Sequence, residues 1–415
     1  MTATTTSDRL DAPASRPIDA LHRRLADEAA ERHATHMHRR LHAVSAPGRL
    51  IERHGHRLVN LSSNDYLGLS THPHVVEAVR KAAATHGVGS GASPLAGGHT
   101  EATHRLERRL AEFKHAEAAV LLPTGFAANL ALLTTLARPG DLIAADALNH
   151  ASLVDAARLS GAALRTYPHA TPEDLRGLNK LARLLDRHAN DPKHPDACRF
   201  IVTDAVFSMD GDLAPLPELA EVAERFAAHL IVDEAHATGL LGPTGAGLVE
   251  ATGTAHRVAA ANTTASKALG GLGGAVTASA AIIDAIVNRA RPLIYSTAPP
   301  PTQVAAIDAA LDVVANEPQR RHRLAEITAR VRQAVALPPV PADRSTPIVP
   351  LVVGAPAAAL SLAKRLAHAG FLAPVIRPPT VKPGSSRVRL SLRADLTDDH
   401  IDRLVAAIAS SHPGR

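Results

Sequence analysis

The order of apolar runs in this 415-residue chain predicts an α/β fold: a large domain with a mostly parallel sheet covered by helices on both faces, a smaller C-terminal α+β domain and an N-terminal helical arm. Three observations carry that prediction. Short strand-like apolar runs alternate with helical segments from about residue 58 to 300. Residues able to do chemistry fall directly after those runs, where open α/β sheets bind ligands. After Pro299-Pro300-Pro301 the alternation gives way to helices followed by a few short strands.

In chain order, residues 1–57 are expected to form a tail and an arm. Met1 to Pro17 is rich in Thr, Ser, Ala and Pro, lacks the apolar centre of a signal peptide and is read as a frayed tail. From Ile18 to Val44 the pattern is amphipathic and helical, and Ala46-Pro47-Gly48 breaks it. The large domain, 58–300, opens on an extended piece at Arg57–Leu61. Its strand candidates are Ala119–Leu122, Leu142–Ala145, Phe200–Thr203, Leu230–Val232 and Val258–Asn262. Between them, Thr103–Lys114 places Leu106, Leu110 and Phe113 on one helical face. The small domain, 301–415, is expected to hold strands at Ile348–Val353, Pro374–Ile376 and Val388–Leu392, a helix ending at Ala369 and a closing helix.

Composition narrows the function classes. Six Phe, three Tyr and no Trp argue against a base-stacking surface, and a formal charge of +5 spread along the chain argues against a nucleic-acid partner. The single cysteine, Cys198, excludes an intramolecular disulfide and a multi-thiolate zinc site, which suits a reducing, cytoplasmic setting. Ala268–Ile283, an uncharged stretch with four glycines, is too short to span a bilayer, for which about 20 apolar residues are needed. The histidines of the arm, His33, His36, His38 and His42, have no cysteine among them, and no metal is expected.

Lys267, in Thr264-Ala-Ser-Lys267, is the centre of the chemical reading. A lysine amine forms an imine with the aldehyde of pyridoxal phosphate, whose ring then serves as an electron sink. The partners such a lysine needs stand at other strand ends: Asp233 and His236 in Asp233-Glu-Ala-His236, Ser208 in Val-Phe-Ser208-Met-Asp-Gly-Asp, and His150 in Asn-His150-Ala-Ser. A carboxylate at Asp233 suits a protonated pyridinium nitrogen, although a helix-capping aspartate fits the same position. The two imidazoles suit stacking on a flat ring and hydrogen bonding to its phenolic oxygen. Asp233-Glu-Ala-His236 also matches a helicase-type magnesium motif, but the chain has no phosphate loop to accompany it.

Thr124-Gly125-Phe126 follows a strand candidate and opens a helix, so its backbone amides can cradle a phosphate, with Thr264 adding a hydroxyl. Gly87–Gly91 and Gly97-Gly98 read equally as a close-approach loop or a flexible connection. Arg377, before a Pro-Pro turn, reads either as a fork for a substrate carboxylate or as a surface arginine.

Ser62-Ser-Asn64-Asp-Tyr-Leu-Gly-Leu, Gly-Ser-Gly, Asn149-His150-Ala-Ser, Val206-Phe-Ser208-Met-Asp-Gly-Asp, Asp233-Glu-Ala-His236 and Thr264-x-x-Lys267 together resemble the α-oxoamine synthases, over about residues 20–410. These are pyridoxal-phosphate enzymes of the aspartate-aminotransferase fold. The segment Ile376-Arg-Pro-Pro-Thr-Val381, followed by Ser386-Arg-Val-Arg-Leu, looks like the members that join L-alanine to a pimeloyl thioester, on coenzyme A or an acyl carrier protein, in biotin biosynthesis. The resemblance implies Lys267 as the Schiff-base residue, His150 stacked on the ring, Asp233 on its nitrogen, and His236 and Ser208 on its phenolic oxygen. It implies Gly125, Phe126 and Thr264 on the phosphate, Arg377 and Thr380 on substrate, Arg39 as a further substrate arginine and Asn64 against the acyl thioester. It also implies a homodimer. Thr124 and Ala205 replace a usual serine and a frequent glycine, and Ala92-Ser-Pro-Leu lacks an arginine common in relatives. A glycine-using relative such as 2-amino-3-oxobutyrate ligase, and a transaminase on the same fold, are the competing readings. A cofactor-binding regulator has no helix-turn-helix or basic arm to support it.

Overall fold

The computed structural model describes residues 17–45, 48–193 and 195–411. The expected tail therefore lies almost wholly outside the described residues. The strands are β1 (Leu50–Arg53), β2 (His56–Asn60), β3 (Ala118–Leu122), β4 (Leu142–Asp146), β5 (Ala163–Tyr167), β6 (Arg199–Asp204) and β7 (His229–Asp233). They continue with β8 (Val258–Thr264), β9 (Gly274–Ala278), β10 (Ile348–Gly354), β11 (Phe371–Leu372), β12 (Val375–Ile376) and β13 (Ser386–Ser391).

Seven strands form the central sheet in the order β3-β9-β8-β7-β6-β4-β5. The pairs from β8 to β5 are parallel, and β9 runs antiparallel to both its neighbours. The apolar runs split by parity, as a sheet buried on two faces requires. Leu121, Ala144, Ile201 and Val232 enter one core, whereas Val120, Leu122, Ile143, Phe200, Val202 and Ile231 enter the other with helices Gly125–Leu136 and Ala151–Ser160. Sheet and helices thus match the expected α/β architecture.

A second sheet, β10-β13-β12, is antiparallel, and a third joins β1 and β2 to β11. In the third, Phe371 and Leu372 pair in parallel with Val59 and Asn60, tying the start of the chain to its C-terminal part.

Five elements differ from expectation: the arm helix, and the strands β1, β5, β9 and β11, which had no sequence counterpart. The arm is helical only over Pro17–Ala34, not to Val44. His36 adopts a left-handed φ of 57°, and the Met37 N–H reaches back to the Arg32 carbonyl at 2.7 Å, a closure that ends a helix. Two of the unexpected strands lie in the central sheet. β5 is an edge strand with a half-exposed, polar pattern, and β9 is Gly-Ala-Val-Thr-Ala, whose β-branched pair Val276-Thr277 is flanked by glycine and alanine. The glycine that opens β9 has a cause: a Cβ on Gly274 would lie 2.5 Å from the Gly125 amide nitrogen.

Candidate active site

Parallel register brings the chemistry together. Asp204 at the end of β6 pairs with Asp233 at the end of β7, which pairs with Asn262 of β8, two residues before Thr264. Lys267 follows three residues beyond β8 and is half-buried. No described residue hydrogen-bonds its amine. Burial lowers that amine to about 8, against the pull of the Asp233 and Asp204 carboxylates and with the repulsion of Arg389. A lysine so placed is a nucleophile and proton carrier near neutral pH.

Asp233 is 4% exposed. Its Oδ1 accepts the Ala235 N–H at 2.8 Å, and its Oδ2 accepts Nδ2 of Asn129 at 2.6 Å and of Asn262 at 3.1 Å. A carboxylate has roughly four acceptor positions, so three neutral donors leave room for one more. None of the three is cationic, and a protonated ring nitrogen fits the remaining position.

Around it runs a hydrogen-bonded relay. Asn129 Nδ2 also donates to Ser152 Oγ at 2.8 Å, and Ser152 Oγ meets His150 Nδ1 at 2.7 Å. Because Ser152 accepts from Asn129, its own proton goes to His150 Nδ1, and the neutral imidazole then carries hydrogen on Nε2. The His150 ring is exposed at the rim, its backbone N–H fixed by Asp204 Oδ2 at 2.7 Å. Partial desolvation by its neighbours outweighs the pull of the Asp233 charge and, with Lys267 nearby, holds this imidazole below its ordinary pKa. Burial also pushes the Asp204 carboxyl well up, reinforced by the Asp233 charge.

His236 is 5% exposed, and burial followed by the Lys267 charge keeps it well below the usual histidine range, hence neutral. Its Nδ1 lies 2.7 Å from the Tyr66 hydroxyl, which burial raises to about 12. Glu234, between Asp233 and His236, faces elsewhere. It forms a buried ion pair with Lys114 at 2.6 Å and accepts the Val249 N–H, a structural role that takes it out of any metal reading.

The start of helix Gly125–Leu136 has amides free to receive a phosphate. Thr124 takes the Ala127 and Ala128 amides, leaving those of Gly125 and Phe126 without partners among the described residues. A Cβ on Gly125 would stand 3.0 Å from Thr264 Cβ and 3.2 Å from its Oγ1. Gly125, Phe126 and Thr264 therefore share one cradle that only glycine leaves open. Amide cradle, buried Asp233 and low-pKa Lys267 together fit pyridoxal phosphate.

Ser208 sits half-buried in the tight loop closed by the Val206–Leu213 bridge, with no hydrogen bond to the constellation. The loop is clamped from two sides: Arg387 of β13 pairs with Asp210, and Thr346 Oγ1 donates to the Gly211 carbonyl at 2.6 Å. His169 bridges Asp146 Oδ1 at 3.1 Å and Asp212 Oδ2 at 2.6 Å. Burial would lower this imidazole, but hydrogen bonds and charge from the two carboxylates outweigh it and raise it to about 10 from an ordinary 6.5. Its stabilising contribution is therefore full below pH 6.5 and lost as pH rises through about 10. His169→Gln is expected to cost about 2–3 kcal/mol of unfolding free energy at the acid end, allowing for partial exposure. Urea unfolding of both proteins across this pH range checks it: the gap should close in alkali, and a pH-independent gap would contradict the bridge.

The arginines divide unexpectedly. Arg377 is buried, but its guanidinium donates to the arm carbonyls of His36 and His38, the latter at 3.2 Å. Arg39 is exposed and donates to the Pro378 carbonyl at 3.1 Å. Thr380 is exposed, its N–H turned back to the Arg377 carbonyl. These three form one patch where the arm crosses the turn after β12. Asn64 is engaged instead with Arg389, a residue assigned no role from sequence, and with the Tyr66 hydroxyl at 3.2 Å.

Arg389 is 7% exposed on β13, bonds Asn64 Oδ1 and Ser391 Oγ, and has no carboxylate partner among the described residues. Its charge bears on Lys267, His236 and Tyr66, which places it beside the site. A buried guanidinium so placed awaits an anion. The alternation Arg387-Val-Arg389, two arginines on one face of a fully buried strand, was the signal that could have found it. Tyr66 and Asn129, also outside the expected set, left no comparable signal.

The family model described as Aminotransferase class I and II matches residues 56–408. An 8-amino-7-oxononanoate synthase of Halorhodospira halophila is 42% identical over 402 residues, covering 95% of this chain and 96% of that protein. One from Methylococcus capsulatus is 46% identical over 357 residues, covering 86% and 89%. In structure, a Sphingomonas wittichii serine palmitoyltransferase superposes with a TM-score of 0.84 at 26% identity, covering 95% of this chain and 98% of that one. With the strand-end constellation in the same chain, these likenesses show that the protein belongs to the class I and II aminotransferase family and, within it, to the 8-amino-7-oxononanoate synthases.

Proposed function

We propose that this chain condenses L-alanine with a pimeloyl thioester, on coenzyme A or an acyl carrier protein, to give 8-amino-7-oxononanoate, carbon dioxide and free thiol in biotin biosynthesis. The observation that carries the chemistry is that Lys267 and Asp233 meet at the adjoining ends of β8 and β7, with the buried, anion-seeking Arg389 of β13 beside them. The substrate pair rests on the relatives' shared name. Pyridoxal phosphate, when bound, supplies the electron sink that makes the amino acid's α carbon acidic and the β-keto acid ready to lose carbon dioxide.

This chain's residues divide the remaining work. Gly125, Phe126 and Thr264 hold the phosphate, and Asp233 keeps a proton on the ring nitrogen. His150 covers the ring face, while neutral His236, oriented by Tyr66, faces the phenolic oxygen together with Ser208. Lys267, with an amine near 8, anchors the cofactor and then removes the α proton. Arg389 fixes the alanine carboxylate, and Asn64, held against it, borders the acyl thioester. Arg39, Arg377 and Thr380 form a cationic patch suited to the far carboxylate of the pimeloyl chain. Exposed Ile18, Leu21 and Leu25 on the arm helix support a homodimer, whose partner would cover them. No described helix is long and apolar enough to cross a membrane, and a cytoplasmic setting is part of this reading.

Thiol release is the test: pimeloyl-CoA with L-alanine should give it, and acetyl-CoA with glycine should not. Preference for the second pair would move the chain to the ligase reading, and amino transfer to a keto acid without thiol release would overturn both. Arg389→Lys keeps the charge but loses the planar fork. It is expected to raise KM for alanine about 10–100-fold, with a smaller effect on kcat, in steady-state kinetics. An unchanged KM would remove Arg389 from the carboxylate.

A further inference from the structure

We propose a divalent transition-metal site of the zinc type at His99, His104 and Glu107, none of which belongs to the constellation around Lys267. His104 and Glu107 stand three residues apart on helix Glu101–Phe113 and so share a face, and His99 lies just before that helix. One donor atom from each lies within 4.8 Å of the others. His99 Nε2 and Glu107 Oε2 are 3.5 Å apart. Zinc bonds nitrogen and carboxylate oxygen at about 2.0–2.2 Å, and a tetrahedral angle then separates two donors by about 3.3 Å. That pair is long for a direct hydrogen bond and close to the spacing of two ligands on one ion. The imidazole of His104 is exposed and can complete the set by rotation.

The surroundings hold the donors in place. Glu107 is 8% exposed, and its Oε1 accepts the Leu121 N–H at 2.8 Å, which fixes the carboxylate and leaves Oε2 turned to the histidines. The turn carrying His99 is pinned by the Gly98 N–H on the Ser93 carbonyl at 2.9 Å. A Cβ on Gly98 would lie 2.5 Å from the Ala92 carbonyl oxygen, so the turn admits only glycine there. Two nitrogens and one carboxylate oxygen leave a fourth position open to water, a donor set that suits zinc or cobalt rather than calcium or magnesium. The arm histidines contrast with this. His33 and His38 stack at 3.8 Å between ring centroids, and no group of donors fit for a metal includes them among the described residues. A bound ion would join the 92–99 turn to the helix that follows it.

The test uses the full chain with its cofactor, stripped of metal by a chelator and titrated with zinc chloride by calorimetry. Wild type is expected to take up one equivalent that His99→Ala/His104→Ala loses and His33→Ala/His38→Ala keeps. Equal uptake by wild type and the first double variant would overturn the site, leaving a plain ion pair bracing the turn. Cobalt on wild-type protein gives a reading free of any folding defect in the variants. Intense visible bands of a four-coordinate ion are expected, and only the weak spectrum of hydrated cobalt would overturn the proposal.

Discussion

Lys267→Ala is expected to lower turnover by about 10⁴-fold or more, because in the proposed mechanism one substitution removes both the cofactor's covalent anchor and the base for the α proton. The protein should still bind pyridoxal phosphate through the Gly125–Thr264 cradle and Asp233, yet lack the visible absorption of the lysine-linked form. Lys267→Arg should not restore activity, since a guanidinium can neither form the imine nor give up a proton near neutral pH. In wild type, the rate at which the apoprotein captures the cofactor aldehyde should rise as pH passes through about 8, because the neutral amine is the attacking species. Activity within about tenfold of wild type in the alanine variant would place the proton transfer elsewhere.

Asp233→Asn should be the next most damaging change, lowering kcat by about 10³-fold, by analogy with removal of a preorganised charge at a reacting centre. The substitution keeps shape but puts an amide where Oδ2 now accepts two amide donors, Asn129 and Asn262. The new side chain must turn its oxygen toward them, leaving an N–H where the ring nitrogen needs an acceptor. Steady-state kinetics together with a cofactor titration separate the two effects: kcat should fall much further than cofactor affinity. An equal loss in both would mean that Asp233 only helps to hold the ring.

Lys267, Asp233, His236, His150, Gly125 and Thr264 were legible because each is a distinctive residue type directly after an apolar run, and parallel pairing carries neighbouring strand ends to one place. Asp204, Asp233 and Asn262 lie side by side in register for that reason. Arg389 was not legible in the same way. It reaches Asn64 across 325 residues of chain, through a strand of another sheet, and no local pattern encodes that meeting. Asn129 and Tyr66 were hidden because one polar residue in an apolar helix or an aromatic in a loop carries no periodic signal. The arm was overextended because amphipathic spacing persists past Ala34, while the left-handed turn at His36 depends on backbone closure. β9 was missed because its Val276-Thr277 pair is short and flanked by two alanines and by Gly274, which close approach to the Gly125 cradle requires.

A carbon–carbon condensation driven from Lys267 is tested by following the carboxyl carbon of alanine. With L-alanine labelled there with carbon-13 and pimeloyl-CoA as partner, the label should leave as carbon dioxide, mole for mole with free coenzyme A, and only when both substrates are present. Label retained in pyruvate, or thiol released without labelled carbon dioxide, would contradict it.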